Sequence, residues 1–130
     1  MIDEKYYDYA ARQMTRAARE KKKCNGYKDK ADRICFYTGL PYAERHEVFG
    51  GANRKTSLRC GFQVDLSPAA HRELQDNVTS WAKKENRKWR AVYERLYIDE
   101  VMAEGVGEME ALQAWMHLIG RNYIEELTPL

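Results

Sequence analysis

Two histidines and a glutamate are the side chains of this 130-residue chain best suited to catalysis. His46 and Glu47 precede Gly50-Gly51 and a basic loop, and His71 follows a second apolar segment. Hydrolysing a phosphodiester needs a divalent cation to stabilise charge on the phosphate and a base to activate water. Imidazoles from His46 and His71 can serve such a site. Carboxylate oxygens are available from Glu47, Asp65 and Asp76.

Each of these residues also has a purely structural interpretation. His46 can be a surface histidine on a strand, and His71 can face solvent or bond to a backbone carbonyl. Asp76 lies five residues after His71, so an unbroken helix would turn it away from the site. It joins the site only if the helix ends or bends near Asp76-Asn77. Gly50-Gly51 can serve a plain tight turn.

Hydrophobic periodicity and capping signals predict the elements that position these residues. Residues 49–60 read as a loop, and Ser67-Pro68 is an N-cap followed by proline at the first helical position. Helix 3–23 is expected to stop at Asn25-Gly26. The predicted elements are helix 3–23, strand 34–37, strand 43–48, strand 61–66, helix 68–77, a long helix from 79 or 80 to about 104, and a last helix over 109–119. Such a layout brings His46, Glu47 and His71 near one another.

Length and composition predict one α+β domain. Its parts are a basic N-terminal helix and link (1–33), a core (34–77) and a helical extension (78–130). Charged residues make up 32% of the chain, and no apolar run is long enough for a transmembrane helix. The start lacks the order of a signal peptide. Three irregularly spaced cysteines do not form a disulfide framework, so a cytoplasmic location is expected.

The net charge of +2 is unevenly spread. Residues 16–33 hold eight basic against three acidic side chains, whereas residues 94–130 hold eight acidic against two basic ones. Residues 83–90 hold five basic side chains against one acidic. This pattern favours a polyanionic partner, although such runs can also be solvated helix faces. The predicted nucleic-acid-binding residues are Lys21, Lys22, Lys23, Arg54, Lys55, Arg59, Lys83, Lys84, Arg87 and Lys88.

The segment from Cys35 to Asn77 resembles the HNH, or His-Me finger, endonuclease superfamily. Within it, the chain is most similar to small HNH-like proteins of bacteriophages and prophages of Gram-positive bacteria. The run Arg-His-Glu-Val-Phe-Gly-Gly-Ala-Asn-Arg-Lys at 45–55 carries the resemblance most specifically. Residues 61–71 also match the pattern, and residues 120–124 match it loosely.

This resemblance implies a ββα-metal core with a β-hairpin, flanked by an N-terminal helix and long C-terminal helices. It also implies a single Mg²⁺ or Mn²⁺ ion. His46 would stand at a metal-ligand position or, with a one-residue shift, at the base. Glu47 would occupy the place of the general base. The resemblance thus gives catalytic roles to His46, Glu47 and His71, and metal binding to His46, His71 and Asp76.

The chain departs from the family pattern at several positions. Thr38 and Ser67 stand where relatives carry zinc-binding cysteines, which leaves Cys35 alone. Since a structural zinc needs about four nitrogen or sulfur ligands, we expect no structural zinc. Glu47 is a weaker base at neutral pH than histidine unless burial raises its pKa. Asp76 replaces the later histidine of the family.

Two functional hypotheses follow from this pattern. The first is a phage-type HNH-like protein that hydrolyses or nicks DNA with a metal ion. The alternative is an inactive HNH-fold protein that binds DNA or inhibits a host defence nuclease, as an anti-CRISPR does. The expected partner is DNA or a nucleoprotein complex in the cytoplasm of a bacterial host, and no membrane. A structural packaging accessory is a third reading, for which the sequence offers little.

Overall fold

The chain adopts an α+β fold that is mostly helical, with a small antiparallel sheet of two strands. A computed structural model describes residues 2–25 and 30–128, with the side chains of residues 24 and 25 left aside. The helices are α1 (Glu4–Met14), α2 (Arg16–Asn25), α3 (Arg54–Cys60), α4 (Pro68–Asp76), α5 (Ser80–Ala103) and α6 (Glu108–Ile119). The strands are β1 (Glu44–Glu47) and β2 (Gln63–Leu66), and short 3₁₀ turns cover Lys30–Asp32 and Gly51–Asn53.

The register of the two strands decides which side chains meet. Glu44 pairs with Leu66, His46 with Val64, and Glu47 with Gln63. Since successive side chains of a strand point to opposite faces, Glu44 and His46 share one face of β1. Helix α4 follows β2 after a single residue, so its first turns lie beside that face.

Two predicted helix starts are confirmed by their caps. The hydroxyl of Ser67 accepts a hydrogen bond from the Ala70 amide at the start of α4, with Pro68 at its first position. Thr79 caps the long helix α5 in the same way, through the Ala82 amide. These bonds satisfy amide groups that the first turn of a helix leaves without partners.

Other local predictions were wrong. The first helix is split at Thr15, whose hydroxyl accepts from the Ala18 amide and donates to the Arg12 carbonyl. Residues 34–37 form no strand, because Cys35 bonds within a local turn, to Leu40 and Gly39. The predicted loop 49–60 contains helix α3. The predicted stop at Gly26, and the charged pair Lys28 and Asp29, lie outside the described residues.

Strand β2 lies at the centre of the hydrophobic core. Phe62, just before the strand, and Val64 and Leu66 within it are completely buried. The aromatic side chains of α5 and α6 pack around them, with Trp89, Tyr93 and Trp115 also buried. Burial of each such side chain contributes about 1.5–3 kcal/mol to the stability of the fold. The two strands are therefore fixed in place by the core packed around β2.

Within residues 2–25 and 30–128, none of the helices combines the length and the apolar character needed to span a bilayer.

Candidate functional site

A cleft of about 440 Å³ opens where β1, α3, α4 and α5 meet the loop around Gly50-Gly51, which we call the glycine loop. We call it the imidazole cleft. It is lined by all three residues predicted to be catalytic, His46, Glu47 and His71. The other described lining residues are Arg45, Val48, Gly50, Gly51, Arg54, Leu74, Gln75, Asn77, Asn86 and Arg90.

The glycine loop is fastened to α3 by a buried serine. The Ser57 hydroxyl accepts a hydrogen bond from the Phe49 amide and donates one to the Phe49 carbonyl, both at 2.9 Å. Gly51, with φ of +55°, makes the bend that follows. The Asn53 amide group donates to the carbonyl of Ile119 at the end of α6. The rim of the cleft is therefore held to both α3 and α6.

The two imidazoles lie side by side in the cleft. The ring centroids of His46 and His71 are 5.3 Å apart, with the ring planes inclined at 71°. The His71 Nδ1 atom lies 3.0 Å from the Glu44 carboxylate, which comes from the same face of β1 as His46. With Nδ1 facing the Glu44 carboxylate, Nε2 is the His71 ring nitrogen that remains for another partner. A carboxylate behind a histidine in this way is the usual arrangement at metal sites.

The environment of His46 keeps its ring neutral. Burial lowers the pKa of His46 to about 4, and the nearby charges of His71 and Arg90 act in the same direction. Only 7% of the residue is exposed. A neutral imidazole is the form that binds a metal ion, so His46 is ready to act as a ligand at physiological pH.

Glu47 is held by its partner on the neighbouring strand. The Gln63 side-chain amide donates to both carboxylate oxygens of Glu47, at 3.0 and 2.9 Å. Burial raises the pKa of Glu47, against the effect of the Gln63 bond and of the nearby Lys22, Arg54 and Arg45 charges. A raised pKa brings a carboxylate closer to the range of a general base at neutral pH.

Three arginines give the cleft a cationic wall. Arg45 comes from β1, Arg54 from the start of α3 and Arg90 from the middle of α5. The Arg90 guanidinium lies 3.4 Å from the Val48 carbonyl through its Nε atom, which fixes its position beside the loop. Guanidinium groups bind phosphate through paired hydrogen bonds. The cleft therefore combines two imidazoles, of which that of His46 is neutral, and one carboxylate with anion-binding groups.

The set of groups able to hold a metal differs from the expected one. Asp76 ends α4, is exposed and does not line the cleft, whereas Gln75 and Asn77 on either side of it do. Asn77 adopts the left-handed conformation that ends the helix. Its side-chain oxygen already accepts a hydrogen bond from Asn86 at 2.9 Å. In the described part of the chain, no three His, Cys, Asp or Glu side chains form a metal-binding group.

Two imidazoles and an amide oxygen still fit a divalent ion. Metal–nitrogen bonds are about 2.0–2.1 Å long, so an ion between rings 5.3 Å apart can contact both. Gln75 follows His71 by one helical turn and is exposed along the same cleft. Mg²⁺ strongly prefers oxygen ligands, whereas divalent transition-metal ions also accept imidazole. The donor set therefore suits Mn²⁺ better than Mg²⁺.

Sequence reasoning missed Gln75 and Arg90 as members of the site. Gln75 could have been found, because a residue four positions after His71 lies on the same helix face. Arg90 was hidden within a basic run of α5 that appeared to be one surface. Only the packing of α5 against α4 and the loop assigns it to the cleft.

The residues predicted to bind nucleic acid are divided among separate surfaces. Arg54 lines the imidazole cleft, whereas Lys22, Lys23, Lys55 and Arg59 line a second cavity. Lys21 lies with Asp32 and Asp65 around a small cavity. The α5 residues Lys84, Arg87 and Lys88 line a groove that also contains Glu108, Glu125 and Glu126, and Lys83 is exposed nearby.

None of the family models, curated proteins or solved structures compared with this chain matches it.

Proposed function

We propose that this protein is an HNH-like, metal-dependent phosphodiesterase that cleaves or nicks DNA. One observation carries the proposal: His46, Glu47 and His71 line a single cleft together with three arginines. These groups come from four elements, β1, α3, α4 and α5. A plain structural role for each would not require them to share one cleft.

The order of the elements supports an HNH-like origin. A strand bearing His46 and Glu47, a connecting segment, a second strand and a helix bearing His71 follow one another, as they do in a ββα-metal core. We assign this core to residues 34–77.

A second support comes from the positions where relatives carry zinc-binding cysteines. Cys35 lies within hydrogen-bonding reach of the Thr38 side chain and of the Ser67 backbone. Ser67 is distant in sequence from Cys35 and Thr38, yet its backbone lies beside Cys35. Hydrogen bonds at such a place can hold the turn together where a zinc ion would otherwise do so. The chain then keeps the layout of a zinc knuckle without its ligands.

The residues of the cleft would each have a separate role in the proposed reaction. His46 and His71 would hold a divalent ion, with Glu44 orienting the His71 ring and Gln75 as a neighbouring oxygen donor. When bound, that ion supplies electrostatic stabilisation of charge on the phosphate. Arg54 and Arg90 position the diester, and Glu47 accepts a proton from the attacking water.

One observation favours the second candidate function, which is binding without hydrolysis. Glu47 is the only carboxylate among the described residues lining the cleft, and Gln63 holds both of its oxygens. A base restrained in this way and a metal site poor in carboxylates would lower turnover. The same cleft would then bind DNA, or a nucleoprotein such as a host defence nuclease, without cutting.

Nicking of supercoiled plasmid tests the proposal. Wild-type protein is incubated with Mn²⁺, with Mg²⁺ or with EDTA, beside His46→Ala and His71→Ala. We expect nicking with Mn²⁺, weaker nicking with Mg²⁺ and none with EDTA. Each substitution should lower the rate by about a hundredfold or more, as loss of an acid–base or ligand group does. His117→Ala, on an exposed position of α6, is the matched control.

Absence of nicking with every metal, together with tight DNA binding, would replace hydrolysis by the binding function. Equal rates for wild type and for both cleft variants would rule out the imidazole cleft as the active site.

A further inference from the structure

A second cavity of about 380 Å³ lies next to the imidazole cleft. We call it the basic pocket. Its described lining residues are Arg19, Lys22, Lys23, Arg45, Lys55, Leu58, Arg59 and Gln63. Six of these described residues are cationic and none is acidic. Like charges gathered around one cavity repel each other, so the arrangement favours an anion between them.

The basic pocket adjoins the imidazole cleft. Arg45 lines both cavities. The first two residues of α3 are divided between them, since Arg54 lines the cleft and Lys55 lines the pocket. Adjacent Cα atoms are about 3.8 Å apart. A single chain of phosphates passing over the start of α3 would therefore meet both sites in succession.

The groups around the pocket are held by hydrogen bonds. The Lys22 ammonium donates to the Gln63 side-chain oxygen at 2.6 Å and to that of Gln13 at 2.5 Å. The Arg19 guanidinium donates to the Arg59 carbonyl at 3.3 Å. Its Nε atom is removed from solvent and has no hydrogen-bond partner among the described residues. Donors fixed in this way lose little freedom when an anion binds.

The lining selects phosphate groups and not bases. No aromatic side chain is found among the described residues that form the pocket, and Leu58 is their one apolar member. Binding of single bases relies on aromatic stacking. Lysine and arginine contacts to backbone phosphates need none and are independent of sequence.

We infer that the basic pocket is a second phosphate-binding site, which holds the DNA backbone beside the diester that occupies the imidazole cleft. This inference rests on the proposed action on DNA. It implies that the protein also contacts the DNA backbone beyond the reacting phosphate. The pocket fixes the position of the strand, whereas the cleft carries the chemistry.

Binding of a fluorescein-labelled DNA duplex in EDTA, followed by anisotropy, tests the inference without any cleavage. The test variant is Lys55→Gln/Arg59→Gln. The matched control is Lys84→Gln/Arg87→Gln, which removes the same charge from the groove that also holds Glu108, Glu125 and Glu126. We expect the pocket variant to weaken binding by about tenfold or more. It should also lower the slope of log K against log [salt] by about 2, measured between about 50 and 200 mM KCl.

Equal losses of DNA affinity in the two double variants would mean a diffuse charge effect and would overturn the inference. Wild-type protein that does not bind the duplex would also overturn it. Thermal melting of each variant shows that it is folded. Hydrolysis of bis(p-nitrophenyl) phosphate by wild-type protein is measured in parallel, because this small diester needs the cleft alone. If the protein does not hydrolyse the small diester but its DNA binding depends on the pocket, the proposed reaction is wrong and the second phosphate site is still supported.

Discussion

At the scale of single residues, Gln63 connects the two cavities. It is 1% exposed, donates to Glu47 in the cleft and accepts from Lys22 in the basic pocket. The Tyr93 hydroxyl donates to its backbone carbonyl. A buried amide with every group engaged has little freedom to move. In the proposed reaction Gln63 would therefore be a positioning residue, because it holds the Glu47 carboxylate.

The substitution Gln63→Met tests that role. It keeps the length of the side chain but removes the bonds that hold Glu47, and those bonds lower the pKa of Glu47. Without them its pKa should rise, so the acid limb of the pH–rate profile should move to higher pH. Stability should fall by about 1–3 kcal/mol, as for other lost buried hydrogen bonds. A variant with lower stability but an unmoved profile would show that Gln63 serves the fold alone.

Glu44 should tune the affinity of the cleft for metal. Its carboxylate lies 3.0 Å from His71 Nδ1, and the contact with His71 lowers the pKa of Glu44. Loss of such a partner typically weakens metal binding about 10- to 100-fold. We expect this decrease for Glu44→Ala in calorimetric titration with Mn²⁺. Glu110→Ala, an exposed position on α6, should bind as wild type does. Unchanged affinity in Glu44→Ala would separate Glu44 from the metal site.

At the scale of elements, the connection from α3 to β2 depends on Gly61. This residue caps α3 with φ of +80°, and an added Cβ atom would lie 2.5 Å from the Gln13 carbonyl oxygen. Helix α1 therefore packs directly against the backbone at the start of β2. Both the conformation and the close contact require glycine.

Gly61→Ala should destabilise the protein by at least about 2 kcal/mol, since left-handed strain alone costs about 1–3 kcal/mol. Urea denaturation measures the change. Gly107→Ala provides the comparison, because Gly107 has φ of −76° and open space around it. Similar small effects in the two variants would show that α1 moves away from Gly61 at little cost.

The elements that the sequence predicted well are those with caps and apolar periodicity. Helix α4 begins at Ser67-Pro68, and α5 begins after Thr79, as expected. Helix α3 could not be predicted in this way, because Arg54–Cys60 has no apolar periodicity. Its single buried residue is Ser57, which bonds to the loop and not to a core. Residues 34–37 resembled a strand because Phe36 and Tyr37 favour strands, yet the Phe36 ring packs against the buried Trp89 and the Tyr37 ring packs against Trp81.

At the scale of the whole molecule, the sequence predicted that His46, Glu47 and His71 lie near one another, but it did not predict the other residues that line their cleft. His46 and His71 could be paired from the order of strand, loop, strand and helix. Arg90 could not, because its place depends on how α5 packs against α4 and the loop that follows β1. His117 is exposed, since α6 turns it away from the buried Trp115.

The C-terminal segment is joined to α5 by a buried carboxyl group, and this joint should depend on pH. Glu94 accepts a hydrogen bond from the Tyr123 amide at 2.6 Å. Burial raises the pKa of Glu94 to about 7, against the effect of that bond and of Arg95. The unfolded chain ionises Glu94 near its ordinary value of 4.5. Between these two values the folded state binds more protons, so stability falls as the pH rises.

Glu94→Gln should remove this dependence, because glutamine keeps an acceptor for Tyr123 and carries no charge. Above pH 7 the variant should be more stable than wild type, by up to about 3 kcal/mol. Below pH 4.5 the two should agree closely. Urea denaturation between pH 4 and pH 8 gives the comparison. If the stability of both proteins varies with pH in the same way across that range, the pKa of Glu94 is not raised in the folded state.

The central claim is that His46 and His71 hold one divalent ion in the imidazole cleft. Histidine ring signals in proton NMR during titration with Mn²⁺ test it most directly, because the chain has only three histidines and His117 lies on α6 as an internal reference. We predict that substoichiometric Mn²⁺ broadens the His46 and His71 signals together and leaves that of His117 sharp. Equal broadening of all three signals, or none at His46 and His71, would contradict the claim.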